Sequence, residues 1–157
     1  MEHPMTVKGY QTLQNELEKL IKVEREEIKQ AIQEARELGD LKENAEYHSA
    51  KEKQAQIEGR IMEIQGKIAH AKVLDLSTVK SDRIVFGAIV TLFDEEKDLS
   101  LTYQIVGEDE AKTDPKKISY LSPIARALIG KAQGDEVVVK APKGDIYYQV
   151  EKVEYQQ

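Results

Sequence analysis

The chain has 157 residues, enough for one ordinary domain or two small ones. Its 40% hydrophobic content is too high for a disordered chain, and its net charge of −6 argues against wrapping duplex nucleic acid by phosphate neutralisation. The lack of cysteine excludes disulfides, thiol nucleophiles and thiolate zinc sites, and His3, His48 and His70 show no metal-ligand spacing.

From Thr6 to about Leu74 the apolar residues recur as on a helix. Thr6 ahead of Val7-Lys8-Gly9 is a plausible start. Tyr10, Leu13, Leu17, Leu20 and Ile21, then Ile28, Ala31, Ala35 and Leu38, follow three, four and seven apart. The stretch Glu24-Arg25-Glu26-Glu27 is charged throughout and interrupts this seam. After the run Arg36-Glu37-Leu38-Gly39-Asp40-Leu41-Lys42-Glu43-Asn44-Ala45-Glu46-Tyr47-His48 a second helical pattern begins. Ala50, Ile57, Ile64 and Ala71 fall seven apart, with Gln54, Ile61 and Ile68 at the alternate positions. Gly39 suits the left-handed position that closes a helix, and no proline lies between Met5 and Asp114 to break either run.

Two helices of roughly 30 residues joined by a short turn run antiparallel and reach about 45 Å at 1.5 Å per residue. Too few apolar residues line them for a globular bundle. Residues 1–76 are therefore expected to form a slender antiparallel coiled coil, with Asp40 and Glu43 at its far tip.

The period changes around Ser77–Asp82. Ile84 to Phe93 is rich in β-branched and aromatic residues, Asp94 to Asp98 reads as a loop, and Leu99, Leu101, Tyr103 and Ile105 alternate as in a strand. Ser122-Pro123 is a capping hydroxyl followed by proline at the first helical position, opening a helix through Ile124–Ile129 that stops at Gly130. Val137–Val139 and Ile146–Val153 give two more strands across a Pro142-Lys143-Gly144-Asp145 turn. Residues 77–157 are expected to form a small, mainly antiparallel sheet with one helix, making the whole chain α+β.

Two blocks carry a family resemblance. One is Glu34 to His48 in the hairpin. The other is Ile118-Ser119-Tyr120-Leu121-Ser122-Pro123-Ile124-Ala125-Arg126-Ala127-Leu128-Ile129-Gly130-Lys131, followed by Gly134-Asp135. With both in place the chain resembles, over essentially its whole length, the bacterial Gre transcript-cleavage factors. The net charge and the few basic residues near the tip favour the GreA type over the more basic GreB type. The resemblance implies a coiled coil followed by an FKBP-like domain. It also implies a partner, bacterial RNA polymerase: the second domain docks at the rim of the polymerase secondary channel, and the coiled coil enters that channel. The tip carboxylates then help the polymerase cleave the 3′ end of backtracked nascent RNA.

In the chemistry the resemblance implies, the catalytic and metal-binding pair is Asp40 and Glu43. Phosphodiester hydrolysis by two metal ions needs one ion to activate water and another to stabilise the leaving oxygen. The polymerase holds one Mg²⁺ firmly, and a second, preferring hard oxygen donors, would be held jointly by the polymerase and these two acids. Spacing alone reads differently, because Asp40 followed three residues later by Glu43 also resembles a capping box opening the second helix. The two roles can coexist.

Other positions carry less specific signals. Asn44 and Tyr47 lie within about a turn of the acids, where they would orient them, touch polymerase or RNA, or simply start and pack the helix. Arg36 suits an RNA phosphate or a nearby acid. Lys53, Arg60 and Lys67 form a stripe that reads as a solvated face, although Lys51 and Lys53 are near enough to the tip to steer RNA. Ser122 and Pro123 read as a helix cap, and the resemblance also places them at the polymerase-docking surface.

No apolar run approaches membrane-spanning length and the first residues lack a signal-peptide core, so no membrane partner is expected. A cytoplasmic monomer with no catalysis of its own is the expectation. The competing readings are a channel-binding regulator that does not cleave, and a prolyl isomerase or chaperone. The second is poorly served by two Phe and no Trp for an aromatic-lined pocket.

Overall fold

The computed structural model describes residues 2–39, 44–79 and 81–156. The chain divides into two compact units, one of Tyr10–Ala71 and one that joins Glu2–Gly9 to Lys72–Gln157.

The first unit is a helical hairpin. Its first side begins in α1 (Val7–Lys19), passes through a π-helical turn (Leu20–Glu24) and continues as α2 (Arg25–Glu37). Its second side is α3 (Ala45–Ala69), 25 residues and about 38 Å long at the α-helical rise. The buried residues are the seam seen in the sequence: Leu13, Leu20, Ile28 and Ala35 face Ile57, Ile61 and Ile64. Leu17 and Ile21 are only half-buried, and Leu38, expected on the seam, is 68% exposed because α2 ends at Glu37.

The charged interruption has a structural counterpart. Steps of seven, eight and seven residues separate Leu13, Leu20, Ile28 and Ala35. In a regular α-helix the extra residue in the eight-step would swing Ile28 about 100° away from the partner helix. The π turn takes up that residue: the Arg25 N–H donates to the Leu20 carbonyl five residues back, and Ile28 returns to the seam.

Opposite charges then tie the two sides together. Arg25 makes paired hydrogen bonds to Glu58 at 3.0 and 2.9 Å, and Arg60 does the same to Glu16 at 2.7 and 2.9 Å. This corrects the reading of Lys53, Arg60 and Lys67 as one solvated stripe. Arg60 is half-buried in its clamp and Lys67 pairs with Glu63 at 3.2 Å.

The second unit contains β1 (His3–Thr6), paired with β2 (Ala71–Leu74), and a five-stranded sheet. The helical pattern expected through Leu74 thus ends at Ala69. The larger sheet is built from β3 (Ile89–Asp94), β4 (Leu99–Val106), β5 (Lys117–Ser119), β6 (Glu136–Ala141) and β7 (Gly144–Glu154), in the order β5-β4-β3-β7-β6. All its pairings are antiparallel except β4 with β5. Two short helices, α4 (Glu108–Ala111) and α5 (Pro123–Leu128), complete the unit. The α+β class is as expected from the sequence.

The expected strand from Ile84 is shorter than its composition suggested. Ile84–Ala88 makes a turn, with Ile84 and Ala88 fully buried, and the strand proper starts at Ile89. Val90 and Leu92 alternate into a core completed by Ile105, Ala125, Leu128, Val137, Val139, Tyr148 and Val150. Burying each of the valine, leucine and isoleucine side chains contributes about 1.5–3 kcal/mol relative to leaving it in water. Among the described residues, no helix is long and apolar enough to cross a membrane.

Candidate functional site at the hairpin turn

Asp40 and Glu43, the acids singled out in the sequence, lie outside the described residues, as do Leu41 and Lys42. What the structure describes is the frame on either side of them.

On the entering side α2 closes at Leu38. The Leu38 N–H donates to the Ala35 carbonyl at 3.2 Å and the Gly39 N–H to the Arg36 carbonyl at 3.4 Å. Gly39 has φ of +128°, a conformation that a side chain would strain, so the glycine expected to end the helix does so. Arg36 is exposed, and its guanidinium has no partner among the described residues.

On the leaving side α3 opens at Ala45 with Asn44, rather than Asp40, in the capping position. Asn44 is extended (φ −86°, ψ 97°) and its Oδ1 accepts from the Tyr47 N–H at 3.0 Å. The capping-box reading of Asp40 therefore does not describe the start of this helix. Asn44 has a second bond: its Nδ2 donates to the Ala35 carbonyl on α2. One amide thus ties the last turn of one helix to the first turn of the other.

Tyr47 is half-buried, with its ring 5.6 Å from that of His48 in an edge-to-face arrangement. Its place fits the seam, since Tyr47, Ala50, Gln54 and Ile57 follow at spacings of three and four. Lys51 and Lys53 are exposed. Lys51 donates to Gln54 Oε1 at 3.2 Å, and Lys53 has no partner among the described residues.

Several cations of the hairpin are paired: Lys22 with Glu18, Arg25 with Glu58, Arg60 with Glu16, and Lys67 with Glu63. The guanidinium of Arg60 is held firmly in its charged form by the Glu16 carboxylate. Lys67 first, then Arg60, lowers the Glu63 carboxyl below its ordinary range. Arg36 and Lys53, which flank the turn, are left with their charge unneutralised by described groups.

Ser122 and Pro123 belong to the second unit. Ser122 caps α5, its Oγ accepting from the Ala125 N–H at 3.2 Å, and exposed Pro123 occupies the first helical position. Leu121 and Ile129, on either side of α5, are about two-fifths exposed, leaving apolar surface beside the cap.

The sequence reading missed the bond from Asn44 to Ala35 and both cross-helix arginine clamps. Arg25 and Glu58 lie equally far in sequence from the middle of the turn, a signal that would have found the first clamp. No comparable signal marks the other two.

Residues 3–73 match the family described as transcription elongation factor, N-terminal, and residues 79–155 match that described as transcription elongation factor, GreA/GreB, C-terminal. The chain is similar to the transcription elongation factor GreA of Alkalilimnicola ehrlichii, with 53% identity across 97% of each chain. It is also 50% identical to GreA of Francisella tularensis subsp. novicida, over 97% of this chain and 96% of that one. Among solved structures, GreA factor homolog 1 of Thermus thermophilus is 29% identical over 98% of this chain and 99% of its own, with a TM-score of 0.45.

Proposed function

The chain belongs to the GreA/GreB family of transcription elongation factors, and from that premise we propose that it completes the RNA polymerase active site for cleavage of backtracked RNA. In this reading the factor has no chemistry of its own. It acts as a cytoplasmic monomer whose hairpin enters the polymerase secondary channel, while the surface around Ser122 and Pro123 docks at the channel rim.

One observation supports the role of the turn above all. Asn44 caps α3, so the acid at position 40 is not needed to start that helix. Asp40 and Glu43 would offer hard oxygen donors of the kind Mg²⁺ takes, and the ion would be held jointly with the polymerase. When bound, that ion supplies the Lewis acid that activates water and neutralises charge on the scissile phosphate. The two carboxylates would hold that ion in place. Arg36 and Lys53 present unneutralised charge beside the turn, suited to the phosphates at the RNA 3′ end, and Lys51 extends that surface. Asn44, bonded to both Ala35 and Tyr47, ties together the helix ends on either side of the turn.

The test is RNA cleavage in a stalled, backtracked elongation complex, comparing wild type with Asp40→Asn and Glu43→Gln at saturating factor. Both substitutions keep side-chain size and remove charge. Stimulated cleavage is expected to fall by at least tenfold while the variants still compete with wild type for polymerase. Undiminished cleavage would overturn the metal-ligand role. Wild type that binds but never stimulates cleavage would make the protein a non-cleaving regulator of the same channel.

A further inference from the structure

The five-stranded sheet of the second unit has two edges, and they differ. β5, at one end, is three residues long. β6, at the other, is a six-residue strand whose pairing with β7 runs without a bulge. The direction of its backbone bonds follows from its neighbours. The Val150 N–H donates to the Asp135 carbonyl at 2.9 Å, and the Tyr147 carbonyl accepts from Glu95 on the β3 side of β7. Bonded and non-bonded pairs alternate along an antiparallel ladder, so Val137, Val139 and Ala141 bond to β7. The N–H and C=O groups of Glu136, Val138 and Lys140 then turn outward, and among the described residues nothing is bonded to them.

The same three residues carry the exposed side chains of β6, because Val137 and Val139 point into the core. Val138 is 41% exposed, and Tyr147, opposite it on β7, is 45% exposed. Glu136 and Lys140 stand two residues to either side of Val138, and neither has an ion-pair partner among the described residues. Charges on an edge strand normally keep a second strand away. Here their opposite signs are symmetric about Val138, which favours one arrangement. In an antiparallel pair with its two-fold axis at Val138, Glu136 of each copy faces Lys140 of the other. A parallel pair in register would set like charges side by side.

We propose that β6 is a self-association surface: a second copy of this chain adds its own β6 antiparallel, Val138 against Val138, and joins the two five-stranded sheets into one. The outward groups of the three residues then make about six backbone hydrogen bonds across the axis. Tyr147 and Val138 of both copies line up as an apolar stripe over the outer face. A strand lacking this charge order gains the backbone bonds without both ion pairs, which is why a second copy is the favoured occupant. The contact is small, in the range of weak and transient interfaces. The free chain therefore pairs at high concentration, and the dilute factor is a monomer. The inference concerns the second unit alone and does not depend on the function proposed above.

The test uses the full chain over a concentration series. Sedimentation equilibrium is expected to show the mean mass of wild type rising from that of one chain toward that of two. Amide exchange followed by NMR is expected to slow several-fold at Glu136, Val138 and Lys140 over the same series, and to change little at Val137 and Val139. Glu136→Lys and Lys140→Glu each set like charges against one another across the axis, and each is expected to weaken association several-fold at low salt. Mixed together, the two variants are expected to pair with each other about as strongly as wild type does with itself, because every charge then faces its opposite. Val138→Lys places two cations on the axis and is expected to abolish association. All three side chains are exposed, and circular dichroism confirms that each variant is folded. A wild type that stays monomeric throughout the series overturns the proposal. Association that survives both charge reversals overturns it too, as do mixed variants that stay apart.

Discussion

Asn44 and Ala35, on opposite sides of the hairpin turn, are joined by a hydrogen bond from the Asn44 Nδ2 to the Ala35 carbonyl. That carbonyl also accepts from Leu38, while the other end of the Asn44 amide caps α3 through Tyr47. Only a side chain with both a donor and an acceptor at this reach makes both bonds. Asn44→Asp keeps the cap acceptor but turns a carboxylate toward the Ala35 carbonyl, and Asn44→Ala loses both bonds. Each is expected to cost about 1–2 kcal/mol in urea unfolding. Loss confined to Asn44→Ala would show that the cap alone matters. Either substitution is also expected to lower maximal stimulated cleavage, because the frame around the acids loosens.

Gly9 is expected to reverse the usual rule for helical glycines. Glycine to alanine inside a helix normally gains about 0.5–1 kcal/mol. Here the new methyl meets the Glu110 carboxylate, which is held by Thr6 and Lys117 and cannot swing away without breaking both contacts. Gly9→Ala is expected to destabilise by about 1 kcal/mol or more, and that cost should largely vanish in a Glu110→Ala background. Calorimetric melting of the four proteins of this double-mutant cycle measures the coupling. Zero coupling would mean the contact is not the cause.

The Arg60 clamp is partly exposed, so its contribution is modest. A double-mutant cycle with Arg60→Met and Glu16→Gln is expected to give a coupling of about 0.5–1 kcal/mol, smaller at high salt. Acid acts on the neighbouring pair in a definite direction. The carboxyl of Glu63 is held below its ordinary value of 4.5 by Lys67 and Arg60. A depressed carboxyl contributes stability that is complete above its unfolded value and is lost as pH falls through the folded one. Half-exposed as it is, its share is small. Glu63→Gln is expected to flatten the stability profile slightly below pH 4.5, and an unaltered slope there would remove Glu63 from the acid response.

The π turn is expected to be dispensable for folding. Deleting Val23, which is exposed, converts the seam steps from seven, eight, seven to an even seven throughout. A regular α-helix then brings the same residues to α3. Helical circular dichroism is expected to be retained, with the melting temperature unchanged or a few degrees higher. A large drop would show that the π turn has a structural role besides keeping the seam in phase.

The sequence alone was enough for everything that depends on spacing along one chain segment. The seam of α3 as far as Ile68, the Gly39 helix end and the Ser122-Pro123 cap are set by residues within a turn or two of one another, and these formed as read, whereas Ala71, read on the same seam, lies in β2. The two motif blocks were equally local, so the family was legible as well. The reading failed where a short pattern supported two structures. The apolar run from Ile84 became a buried turn before it became a strand, and the cap of α3 is Asn44, a position the sequence reading did not single out as the cap.

Tertiary structure decided the rest because it depends on which distant groups meet. The eight-step between Leu20 and Ile28 looks like a broken seam until a partner helix fixes where Ile28 must point, and the π turn is the resulting compromise. Parallel pairing of the three-residue β5 with β4 needs a neighbour already in place to bond to. Thr6 and Glu110 are separated by 104 positions in the chain, and no periodicity links them. Hydrogen bonds and buried charges depend on distance in space, whereas a sequence records only distance along the chain.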